Sequence, residues 1–71
     1  MKTTGEKLVY MANQIGDFFK SYPHDQAVKG IKEHIEKFWD PRMKRLILDH
    51  LDAGGVGLEP LAAAALRRLS A

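Results

Sequence analysis

Pro23, Pro41 and Pro60 are the only prolines in this chain, and they follow Tyr22, Asp40 and Glu59. A proline breaks a helix interior, disfavours helix at the residue before it, and is accepted in a helix's first turn. The three therefore cut the chain into four segments, each able to hold one helix. In the first, Leu8, Met11, Ala12, Ile15, Phe18, Phe19 and Tyr22 recur at the three-then-four spacing of one helical face, with Thr4 as a cap and Lys7, Asn13, Asp17 and Lys20 on the wet side. The second carries Ala27, Val28, Ile31, Ile35 and Phe38 on its stripe, with Lys29, Lys32, Glu33, Glu36 and Lys37 as four-apart charge pairs outside. Asp40 is a capping side chain for the third, whose stripe is Met43, Leu46, Ile47, His50 and Leu51. Gly54-Gly55-Val56-Gly57 ends it with residues that tolerate positive φ, and Leu61, Ala62, Ala65, Leu66 and Leu69 line the fourth. No stretch alternates apolar with polar as a half-buried strand does.

The expectation is an all-α fold, a small single-domain bundle of about four short helices spanning the chain, with helices over about residues 5–21, 24–39, 41–53 and 60–70. Gly16 and Gly30 lie inside helical segments at a propensity cost of about 1 kcal/mol each, which points to close helix approach. The fourth helix is expected to be the least firmly docked, because its alanines bury little area.

Seventy-one residues leave room for a single core. Burial of about 7,100 Å², roughly 60% of it apolar, contributes about 107 kcal/mol, and ordering costs about the same. A balance near zero leaves a partner surface room to add stability. No cysteine is present, so disulfides, thiolate metal sites and cysteine nucleophiles are excluded. The chain is 45% hydrophobic and 28% charged, which argues against disorder, and its net charge of +2 is too small to single out a nucleic-acid partner. Met1 to Lys7 contains no apolar signal region, and the longest apolar run is Leu61 to Leu66, so the reading is cytoplasmic and non-membrane.

Candidate chemistry is sparse. His24, His34 and His50 lie in different segments, with no second histidine three or four residues away from any of them. They read as boundary residues satisfied by hydrogen bonds. Glu33, Glu36 and Asp17 sit among lysines on wet faces, and the glycine-rich stretch lacks the lysine and hydroxyl of a phosphate loop. Arg42, Lys44 and Arg45 cluster at the start of the third helix, where the helix dipole disfavours cations. That cost is met either by solvent or by an acidic or phosphate surface on a partner. Phe38 and Trp39 are adjacent and so point about 100° apart on a helix, and one of them must leave the core. Trp39 is then either a packed elbow or a partly exposed anchor.

Three blocks of residues also resemble a known family. Met11-Ala12-Asn13-Gln14-Ile15 followed by Phe18-Phe19, then His34-Ile35 leading to Phe38-Trp39-Asp40-Pro41-Arg42-Met43, then Gly54-Gly55 with Gly57-Leu58 and Pro60-Leu61, are similar to the delta subunit of the NAD-dependent, molybdenum-containing formate dehydrogenases. The middle block is the specific one, and Lys44 stands where arginine is frequent. The resemblance implies a non-catalytic accessory subunit of a cytoplasmic bacterial complex. Its large subunit would carry a bis-molybdopterin guanine dinucleotide centre with Mo and iron–sulfur clusters, and smaller subunits would carry FMN and the NAD site. This chain would hold no cofactor and would clamp the large subunit, with Trp39, Arg42, Met43 and Arg45 as the expected partner-binding residues. The alternative class is a small helical nucleic-acid-binding or regulatory protein using Arg42, Lys44, Arg45, Arg67 and Arg68 on phosphates. Against it stand the low net charge and the lack of a polar recognition helix.

Overall fold

The structure, a computed structural model, describes residues 4–70. Four helices follow one another: α1 (Thr4–Phe19), α2 (His24–Phe38), α3 (Pro41–Asp52) and α4 (Pro60–Ser70), and no strand occurs among the described residues. The fold is thus an all-α bundle of four helices. The expected cap Thr4 is the first residue of α1, and its side chain lies outside what is described.

Each break follows from local chemistry. α1 ends at Phe19 rather than Ser21, closed by the Tyr22 amide donating to the Phe19 carbonyl at 3.0 Å. Pro23 occupies the N-cap position of α2, one residue before the first turn, and its carbonyl accepts from Ala27 at 2.9 Å. At the other end Trp39 is already extended (φ −91°, ψ 137°), while its amide still donates to the Ile35 carbonyl. Asp40 accepts from the Met43 amide at 2.9 Å, and Pro41 fills the first helical position of α3. α3 stops in a Schellman motif, with Gly54 donating to the Leu51 carbonyl and Gly55 to that of His50. Gly54, Gly55 and Gly57 all have positive φ, as the turn requires.

α2 folds back along α1, with Phe19 lying over Gly30 and Gly16 near Ile31. A Cβ placed on Gly30 would lie 2.5 Å from the Phe19 ring, so this residue must be glycine for the ring to sit there. At Gly16 the same test finds Ala62 of α4 at 3.9 Å, an ordinary contact. The core consists of Leu8, Ala12, Val28, Ile31, Ile35, Trp39, Ile47, Ala62, Ala65 and Leu66. The expectation of a loosely docked α4 is overturned. Ala62, Ala63, Ala65 and Leu66 are all buried, and α2 with α4 is the most extensive helix pair in the molecule. Small side chains bury little area each, but they let the helix axes approach closely enough for their neighbours to be covered.

Candidate partner-docking surface

The connection between α2 and α3 is a tight elbow in which Phe38 and Trp39 part company. Trp39 is 4% exposed and belongs to the core, whereas Phe38 is 71% exposed. Phe38 does not complete the α2 stripe as expected, and of the two readings of Trp39 it is the packed elbow that the structure shows. The 100° rule holds only within a helix, and Trp39 already has extended backbone, which turns its indole inward. Phe38 stays outside, its ring 4.8 Å from that of His34 one turn back.

The basic cluster beside the elbow divides by role. Lys44 donates from Nζ to the Glu36 carbonyl at 3.0 Å, satisfying an acceptor in the last turn of α2 where a cation is favoured. Arg42 and Arg45 are exposed, and neither has an ion pair or side-chain hydrogen bond within the described residues. Met43 is half-buried against the core, so it anchors α3 and presents only part of its side chain. The result is a corner with one exposed aromatic ring and two guanidinium groups that are unpaired among the described residues. Aromatic and arginine side chains dominate interface hot spots. Of the remaining cations proposed for phosphate contact, Arg68 lies 3.9 Å from Asp25 of α2, and Arg67 shares with it the last turn of α4, where the dipole favours both.

The other candidates have local explanations. His50 meets the Val56 carbonyl at 2.7 Å through Nε2 and so ties the glycine-rich connection to α3. His24 is exposed at the start of α2, and His34 stacks near Phe38. Of the expected four-apart pairs on α2, Lys32 with Glu36 closes to 3.3 Å. Asn13, expected on the wet side, instead donates to the Gly57 carbonyl and accepts from the Glu59 amide, both at 2.9 Å. It clamps the connection before α4 from both sides. Asparagine in the middle of an apolar helix, at a propensity cost, is the signal that marks such a role.

Among the described residues there is no pocket and no group of three or more His, Asp or Glu side chains placed to hold a metal ion. No helix is long and apolar enough to cross a membrane. What the fold defines is a small helical module with its distinctive groups on the outside. A family model for the NADH-dependent formate dehydrogenase delta subunit FdsD matches residues 7–66, and the chain belongs to that family. No curated protein and no solved structure matches the chain.

Proposed function

We propose that this chain is a non-catalytic accessory subunit that docks on the large molybdenum-containing subunit of a cytoplasmic, NAD-dependent formate dehydrogenase and supports its assembly or stability. The observation that carries the reading is the family match over residues 7–66. The molybdopterin centre, iron–sulfur clusters, FMN and NAD belong, in this reading, to the larger subunits. The elbow supplies the docking surface. Arg42 and Arg45 pair with carboxylates of the partner, Phe38 enters an apolar recess between them, and Met43 and Trp39 hold the corner rigid from beneath. Two groups that are solvated at their own expense in the free chain become useful when covered.

The test is co-expression of the affinity-tagged chain with the other subunits of the complex. Recovery of the large subunit with the tag is expected, and Arg42→Ala with Arg45→Ala should reduce it without lowering the chain's melting temperature. Recovery of nucleic acid in place of the large subunit, lost steeply between low and moderate salt, would overturn the reading in favour of phosphate binding.

A further inference from the structure

The end of α2 remote from the elbow carries a second exposed aromatic group. Phe18 is 73% exposed and Tyr22 49%, and Phe19 lies between them with ring centroids at 5.2 Å and 5.6 Å. The Phe18 and Phe19 rings meet edge to face at 86°. Phe19 is seated on Gly30, where no side chain could be accommodated, so this ring is fixed by the helix beneath it and in turn supports the two outer rings. An ordered array of this kind pays little side-chain entropy on binding.

The occupant follows from area and shape. On the usual scale of about 150–250 Å² per aromatic side chain, Phe18 and Tyr22 together expose roughly 260 Å². Two copies joined through these rings alone would bury about 500 Å², well below the roughly 1,200 Å² of a stable interface. A surface that also covers the elbow supplies the missing area, which points to a larger partner. Asp17 and Lys20 flank the rings with opposite charges, which gives a polyanion no reason to prefer this end. At about 1.5 Å per residue, the 15 residues of α2 hold the two ends about 22 Å apart. A standard interface of about 800 Å² per partner is roughly 30 Å across, long enough to reach both ends.

We propose that Phe18, Phe19 and Tyr22 form a second docking point, inserted in an apolar recess of the same large subunit that receives the elbow. The inference rests on the proposed function and extends it: the chain becomes a strut held at both ends of α2. The experiment measures binding of the purified chain to the large subunit, with Phe18→Ser and Tyr22→Ser beside Arg42→Ala. Both aromatic variants should melt as the wild type does, and Phe18→Ser should bind about thirtyfold more weakly if Phe18 is a hot spot. Hydroxyl-radical footprinting of the wild-type complex should show Phe18 and Tyr22 protected from oxidation, a readout that needs no variant. If Arg42→Ala weakens binding while the aromatic variants bind normally and both rings stay open to oxidation, the second docking point is wrong and the elbow stands. Absence of wild-type binding would remove both readings. A concentration-dependent dimer abolished by Phe18→Ser would assign the recess to a second copy and overturn the inference.

Discussion

Trp39 and Phe38 are one bond apart in sequence and opposite in consequence. Truncating a buried tryptophan typically costs about 3–5 kcal/mol, comparable to the whole stability of a small domain, so Trp39→Ala should leave the chain largely unfolded by circular dichroism at room temperature. Phe38→Ala removes a ring that is already in water. It should leave the thermal midpoint within a few degrees of wild type while weakening association with the large subunit by about 2 kcal/mol. Equal loss of helix in both variants would contradict this division. The two helical glycines separate in the same way. Gly16→Ala meets Ala62 at ordinary contact distance and gains helix propensity, so it should stabilise by about 0.5–1 kcal/mol in denaturant unfolding. Gly30→Ala collides with the Phe19 ring and should destabilise despite the same propensity gain. The sequence marks both glycines as sites of close approach but cannot say which tolerates a methyl group, because that depends on what lies opposite.

At the scale of elements, the proline and glycine punctuation makes the four-helix pattern legible, since breakers act on their own backbone and need no knowledge of the partner helix. How the helices rank in docking is not legible. An alanine-rich segment has a weak hydrophobic signature whether it is loose or closely packed, and only the Gly16–Ala62 approach and the broad α2–α4 contact decide the matter. Ala65→Leu should therefore destabilise by about 1–3 kcal/mol through overpacking, read as a lower urea midpoint. A loosely docked α4 would instead gain from the larger side chain. Asn13 is the other element-scale residue, because its two hydrogen bonds fix the path by which α3 leads to α4. Asn13→Ala should cost about 1–2 kcal/mol and raise amide exchange at Glu59, whose donor loses its acceptor.

The whole molecule has a radius of gyration of 11.0 Å, the compactness of a well-packed chain of this length. Its core is nonetheless small, and stability on binding rises by mass action. With the large subunit at about one hundred times the dissociation constant, the chain gains about 2.7 kcal/mol, so isotope-labelled chain should show α2 amides exchanging about a hundredfold more slowly in the complex than alone. Unchanged exchange would mean that docking does not draw on the fold. The proposed docking site is only partly legible in the sequence. Arg42 and Arg45 stood out because they violate the dipole rule, while the exposed rings of Phe18 and Phe38 did not, since a period of 3.6 puts them on apolar faces and says nothing about where those faces run out of partners.

The chain contains a single tryptophan, and it is the side chain packed into the elbow. The isolated protein accordingly carries an internal fluorophore that reports on folding. Its emission should be blue-shifted and resist iodide in the native state, then shift red and become quenchable in the same denaturant range in which helix is lost. Phe38→Ala and Phe18→Ser should leave that signal intact, so the light emitted at this one position can certify that a variant defective in assembly is still folded.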